Sequence, residues 1–262
     1  MVLYVVADIH AYYGLFLASL KEAGFFDEPD AKLILLGDAL DRGEGPVETV
    51  DFLLSLHREG RLIYIRGNHE DLIDRCLDDI AKGYAFEIAS GMSYHYRNGT
   101  FDTLLALAGM TDTEAVKDPE GLIQRVKASA YYSELLPTCL DYFETDEYIF
   151  THGWLPCYPI GEKKPYLGYM ADENWRNADK RRWEAARWFN GMELACQHGI
   201  LEEGKVVVCG HFRTSWGHCQ IHKEGGDRDE SAIYTPFCDR GIIALDGCIT
   251  RSGLVNCLRL EV

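Results

Sequence analysis

The apolar and polar positions of the first 80 residues alternate between two periods. Short apolar runs, "LYVVA", "LILL" and "LIYI", read as buried strands. Each is followed by a stretch with helical spacing: about Leu15 to Ala23, about Val47 to Glu59, and from about Glu70 onward. This is the rhythm of an α/β chain with layered sheet and helices. After Gly83 the rhythm changes. Residues 84 to about 137 carry helical periodicity in "TFDTLLALAGM" and "GLIQRVKASAYYSELL" without a clear strand, which predicts an inserted helical lid within one domain spanning 1–262. Strands return at "EYIFT", "KVVVCG", "GIIAL" and "GLVNCLRLEV", whereas 154–182 is polar, aromatic and proline-bearing and reads mostly as loop.

Composition narrows the class. Forty-two acidic against 26 basic residues give a formal charge of −16, which argues against a nucleic-acid surface or an anionic membrane as partner. No run approaches 18 apolar residues, and the N-terminus enters a strand without a basic region or cleavage site, so a soluble cytoplasmic protein is expected. The nine cysteines are scattered and form no C-x-x-C pair, the pattern of reduced thiols rather than a disulfide framework.

The chemistry lies at the strand ends. The first strand runs into Asp8 and His10, the second into Asp38, Asp41 and Arg42, the third into Asn68, His69 and Glu70, and two later ones into His152 and His211. In open α/β sheets ligands bind beyond the carboxyl ends of the strands, so these side chains are expected to meet in one crevice. Asp8 and His10, two apart on an extended segment, point to one side and suit a chelate. Oxygen and imidazole donors without thiolate fit manganese, iron or zinc rather than a structural zinc site. Asp38 is placed to bridge two ions, and two metals about 3.5–4 Å apart clamp a phosphoryl group for in-line attack. Arg42 then supplies a planar fork for phosphate oxygens.

The ordered set "DIH", "GDALDRG", "RGNHE", "THG" and "CGH" resembles the serine/threonine protein phosphatase family of calcineurin-like metallophosphoesterases, above all its bacterial and phage members, over about residues 4–260. The resemblance implies a four-layer β-sandwich flanked by helices, with a dinuclear centre at its edge. It also implies two divalent ions, manganese first and iron or zinc as alternatives. Asp8, His10 and the bridging Asp38 match ligands of the first ion; Asn68, His152 and His211 match ligands of the second. His69 resembles the general acid and Asp41 its orienting partner. Arg42 and Asn68 match phosphate-binding positions, and Arg187 in "WEAARWFNG" is the expected second clamp, with Arg213 as its rival. The implied activity is a phosphomonoesterase, a serine/threonine or dual-specificity protein phosphatase in which a metal-bridged hydroxide attacks phosphorus directly. The substrate is then a phosphoprotein or small phosphoester. A dinucleoside-polyphosphate hydrolase and a non-catalytic scaffold of the same fold are the alternatives.

Two departures stand out. The family's "GDxHG" is here "ADIHA", and alanine at 7 and 11 lacks glycine's freedom at positive φ, so the turn is expected to differ slightly. The element resembling "NGGxxT" carries Thr100 in place of its second glycine. Glu70 reads as a helix first-turn carboxylate and Asp246 as turn chemistry. His57, His95, His198, His218 and His222 match no ligand position. The aromatic-rich "SYHYRNG" and "KKPYLGY" are candidates to line a substrate groove.

Overall fold

The computed structural model describes residues 1–83, 92–162, 167–199 and 201–262. Its first part alternates as the pattern requires: β1 (Val2–Val6), α1 (Tyr13–Ala23), β2 (Lys32–Leu35), α2 (Pro46–Arg58), β3 (Leu62–Tyr64) and α3 (Asn68–Ala81). The local signals are orthodox. Gly24, at φ 91°, closes α1 with its N–H on the Leu20 and Lys21 carbonyls, and Pro46 opens α2 where its missing N–H has no partner to lose. The all-helical stretch follows as α4 (Met92–Asn98), α5 (Thr100–Ala108), α6 (Asp112–Lys117) and α7 (Pro119–Ala128). Residues 84–91, where that stretch was expected to begin, lie outside the described residues.

The remainder contains β4 (Tyr142–Glu144), β5 (Tyr148–Thr151), β6 (Cys157–Ile160), β7 (Gly168–Ala171), α8 (Lys180–Ala186), α9 (Gly191–His198), β8 (Val206–Cys209), α10 (Thr214–Gly217), β9 (Phe237–Asp239), β10 (Ile242–Ala244), α11 (Ile249–Ser252) and β11 (Cys257–Glu261). The reading of 154–182 as mostly loop is corrected here. It holds the antiparallel pair β6–β7, a 3₁₀ turn at Trp175–Asn177 and the start of α8. Tyr158, Pro159 and Ile160 of β6 are all exposed, so no apolar alternation marks the strand, and Pro159 reads as a strand breaker.

Two sheets stack face to face. The first has the order β11-β1-β2-β3, with β1, β2 and β3 parallel; the second has the order β4-β5-β8-β10-β9, with β5, β8 and β10 parallel. Period-two alternation along β1 sends Leu3 and Val5 to the layer between the sheets, where they meet Ile34, Phe150 and Val208. Tyr4 and Val6 face the other way, into a helical layer with Leu53, Ile73, Phe101 and Val126. On the far side Ile149, Val207 and Ile242 pack against Trp183, Met192 and Leu194. Strands buried on both faces read as continuous apolar runs, which is why these were legible. The result is the four-layer sandwich of helices, sheet, sheet and helices. All parallel strands deliver their carboxyl ends to one edge.

Candidate metal and phosphate site

At that edge the loops after β1 and β2 continue the parallel ladder beyond the strands. His10 N–H donates to Asp38 O at 3.0 Å and Ala11 N–H to Ala39 O at 2.7 Å. The turns are held in left-handed backbone conformations: Asp8 (φ 52°), His10 (47°), Ala11 (56°), Asp38 (53°), Asp41 (73°), Arg42 (70°), His211 (65°) and Cys248 (52°). Each such non-glycine residue costs about 1–2 kcal/mol, and clustering of this kind marks functional sites. Ala11 therefore adopts the conformation that a glycine takes freely, and the expected deviation of the turn is replaced by strain. Two glycines are dictated by contact. A Cβ on Gly37 would lie 2.6 Å from Gly67 Cα, and one on Gly99 would lie 2.4 Å from Arg42 N.

Glu70 offsets much of this strain, a role beyond the first-turn carboxylate expected of it. One oxygen accepts from Asp38 N (2.9 Å) and Gly67 N (2.7 Å), the other from Ala39 N (3.0 Å) and the Tyr64 hydroxyl (2.7 Å). A buried carboxylate with four donors thus locks the β2 loop to the start of α3.

Asp38 is the hub. Its carboxylate lies 3.9 Å from His10 Nε2 and from His69 Nε2 on one side and 3.4 Å from His152 Nε2 on the other. Donor atoms of His10, Asp38 and His69 fall within 4.8 Å of one another, as do those of Asp38, His152 and His211. Burial opposes ionisation of Asp38, but His152, His69, His10 and His211 outweigh it and hold its carboxyl well below the ordinary range. The ring orientations fit ligation. His10 Nδ1–H donates to Leu40 O (3.1 Å) and His152 Nδ1–H to Leu36 O (2.5 Å), which turns each Nε2 lone pair toward Asp38. Burial, reinforced by neighbouring charge, keeps His10 neutral and pushes His211 down to about 3, the protonation state a ligand needs. Asn68 Oδ1 is 2.9 Å from His152 Nε2. Asp8 stands in neither three-residue group; it lines the same cleft, with one oxygen accepting from His211 N–H at 2.9 Å. Carboxylate, amide and imidazole donors grouped around one shared carboxylate fit a pair of divalent cations.

His69 and Asp41 form a buried pair, Nδ1 to Oδ2 at 2.6 Å. Asp41 is fixed in turn by Thr100 (2.7 Å to Oδ2) and Thr103 (2.7 Å to Oδ1) from the start of α5. The threonine that departs from the family pattern thus has a partner. Burial would lower the His69 pKa, yet Asp38 and the Asp41 hydrogen bond hold it above the usual imidazole value.

The arginines divide. Arg42 spans the mouth, donating to His10 Nε2 (2.7 Å) and His69 Nε2 (2.9 Å). Arg187 is not brought to the cleft wall: it is buried, with Nη1 on Asp71 at 2.7 Å and Nη2 on Asp141. Both amino groups of the expected second clamp are committed to carboxylates. Its rival Arg213 is likewise engaged, with Nε on Asp227 at 2.6 Å. His95, in the helical stretch, pairs with Asp79 at 3.2 Å.

Sequence reasoning missed Asp246 at the site. It makes the expected turn, accepting from Cys248 N at 2.7 Å, but it also lines the cleft. Burial, against that hydrogen bond and with the Asp38 charge, pushes it up to about 6. The cleft, about 110 Å³, adjoins a second hollow of about 480 Å³ walled by Tyr169, Phe189, Phe212 and Trp216, and Trp188 lines both. Tyr169 comes from the "KKPYLGY" stretch, of which 163–166 lie outside the described residues.

No helix among the described residues is long and apolar enough to cross a membrane. Compared with known proteins, the chain is 30% identical over 82 residues to the bis(5'-nucleosyl)-tetraphosphatase PrpE of Anoxybacillus flavithermus, covering 29% of this chain and 34% of that one. It is 40% identical over 68 residues to a protein phosphatase 2A catalytic subunit of Dictyostelium discoideum, covering 25% and 21%. The matched segments thus span about a third or less of these relatives. Among solved structures, a cold-active protein tyrosine phosphatase superposes with a TM-score of 0.52 at 15% identity over 99% of this chain and 73% of the other, a likeness of fold. The family model of the calcineurin-like phosphoesterases matches residues 1–212, and the chain belongs to that family.

Proposed function

We propose that this chain is a metal-dependent phosphomonoesterase acting on phosphoserine and phosphothreonine in proteins. The observation that carries the reading is one carboxylate, Asp38, shared by two groups of imidazoles beside the buried His69–Asp41 pair. Asp8, His10 and Asp38 would hold one ion, and Asp38, Asn68, His152 and His211 the other. Manganese is the first choice, with iron or zinc as alternatives. When bound, such ions supply Lewis acidity toward phosphoryl oxygens and the means to deprotonate water at neutral pH. Arg42, swung off His10 Nε2 and His69 Nε2 so that the first can ligate and the second can carry a proton, binds the equatorial oxygens with Asn68, where a guanidinium fork suits the developing charge. His69 delivers a proton to the departing alkoxide, and Asp41, fixed by Thr100 and Thr103, keeps the ring oriented. Arg187 joins the phosphate grip only if its Asp71 and Asp141 pairs open. No protein nucleophile is required, so no phosphoenzyme forms. Nine unpaired thiols support a cytoplasmic setting.

A second reading has its own observation. The hollow sharing Trp188 with the cleft offers aromatic side chains on which a nucleobase would stack beside a phosphate, as a dinucleoside-tetraphosphate substrate, the class named for the PrpE relative, would require. A hydrolysis panel with added manganese separates the two. Phosphoserine and phosphothreonine peptides turned over faster than diadenosine tetraphosphate support the first reading. The reverse order transfers the assignment to the nucleotide.

A further inference from the structure

Away from this centre, another set of donors converges on the outer layer of the second sheet. After α10 the chain makes a π-helical turn, His218–His222, which packs on β9 with the His218 and His222 rings 5.6 and 4.6 Å from that of Phe237. Residues four apart fall on one face of such a turn, so the two imidazoles stand together, 5.8 Å between centroids. Lys223 then adopts the left-handed conformation (φ 63°) and folds the chain back, so that Glu224 N–H donates to His218 O at 2.9 Å. Donor atoms of His218, His222 and Glu224 lie within 4.8 Å of one another.

The protonation pattern points to a ligand. His218 is 8% exposed, and its Nε2–H donates to Thr235 O at 3.2 Å, which leaves the lone pair on Nδ1. That Nδ1 is buried without a hydrogen-bond partner. An imidazole whose outer nitrogen is pinned to a carbonyl while the inner one is free is the arrangement that metal-binding histidines adopt. His222 Nε2 faces Asp239 at 3.4 Å, a carboxylate of the kind that orients a ligating ring from behind. A plain aromatic cluster would explain the stacking on Phe237; it would not explain why a carboxylate donor stands within 4.8 Å of donor atoms on both imidazoles.

We propose that His218, His222 and Glu224 form a divalent-cation site separate from the phosphatase centre, binding zinc or a similar borderline ion with water in the remaining position. Two imidazoles and one carboxylate suit zinc, cobalt or nickel over magnesium or calcium. Because the three donors sit within seven residues, the ion staples the π turn to the reversal after it. Its role is structural, since none of the three donors lines the cleft carrying Asp38.

The test counts ions. Metal-stripped wild-type protein, His222→Gln and Glu224→Gln are each equilibrated with zinc and analysed by native mass spectrometry; both substituted side chains are partly or fully exposed, which protects the fold. The wild type is expected to hold one equivalent more than either variant and to gain more melting temperature from zinc than the variants, in which only the centre around Asp38 remains to bind it. Hydrolysis of p-nitrophenyl phosphate with manganese is expected to be the same in all three. Equal zinc stoichiometry in wild type and variants overturns the proposal, as does a zinc-dependent stabilisation of the same size in all three proteins.

Discussion

The two sheets contribute to the cleft unequally. The ends of β1, β2 and β3 supply Asp8, His10, Asp38, Asp41, Arg42, Asn68 and His69 on loops bonded to one another and clamped by Glu70. The second sheet supplies His152 and His211, and both take their bearings from the first. His152 donates to Leu36 O, and His211 N–H donates to Asp8. One half therefore carries most of the strain, six of the eight left-handed residues at the site against His211 and Cys248 in the other, together with the scaffold from which the other half reads its position. Strain concentrated in one set of loops is tolerable because those loops over-determine each other's geometry.

The sharpest way to break this asymmetry is at its hub. Asp38→Asn removes the one charge that both halves face, so it is expected to abolish turnover, by about 10³-fold or more, and to lower bound metal. Near wild-type activity with metal retained would mean that the halves do not depend on a shared carboxylate. His69→Asn tests the first half alone. General acid catalysis contributes about 10²–10⁴-fold and matters most for a poor leaving group, so phosphoserine-peptide hydrolysis should fall far more than that of p-nitrophenyl phosphate, with metal content unchanged. Equal losses on both substrates would remove the general-acid role, and loss of metal would reassign the residue as a ligand. Its donor atom lies close enough to those of His10 and Asp38 for that outcome to be informative.

Arg187 is the tie across the halves. It sits at the end of α8 in the outer layer of the second sheet and reaches Asp71 on α3 under the first. Arg187→Ala takes one of two arginine partners from buried Asp71, which keeps Arg66, and the partner of the partly exposed Asp141, and is expected to cost about 1–3 kcal/mol in urea denaturation. If the folded variant also differs from wild type in its inhibition by inorganic phosphate, the residue has a phosphate role in addition. Unchanged inhibition leaves it as a tie only.

What was legible in the sequence follows from range. Asp8 with His10, and Asn68 with His69, are local patterns at the ends of runs whose two buried faces make them continuous, so strand, loop and chemistry could be read together. Glu70 looked like a first-turn carboxylate because it is one. Its other partners, Asp38 N and Ala39 N, are more than 30 residues away and leave no local trace. Thr100 and Thr103 hold Asp41 across about 60 residues, and the partners of Arg187 are likewise remote. Asp246 shows the opposite difficulty: its turn chemistry is real and hides its place in the cleft wall.

The smallest effect gives the finest test of where the strain lies. Ala7 and Ala11 both stand where the family pattern favours glycine, and both are buried, but only Ala11 is left-handed, at φ 56°. Replacing either by glycine loses a buried methyl, about 0.8 kcal/mol, and raises unfolded-chain entropy by about 0.5–1 kcal/mol. At Ala11 alone, relief of about 1–2 kcal/mol of backbone strain opposes these losses. Ala11→Gly should therefore be neutral within roughly 0.5 kcal/mol. Ala7→Gly should destabilise by about 1.5 kcal/mol, a fall of about 3–6 °C in melting temperature for a chain of this size. Matching losses in the two variants would show that the β1 loop stores no strain at Ala11, and the contrast between a strained half and a borrowed one would then rest on the remaining left-handed residues.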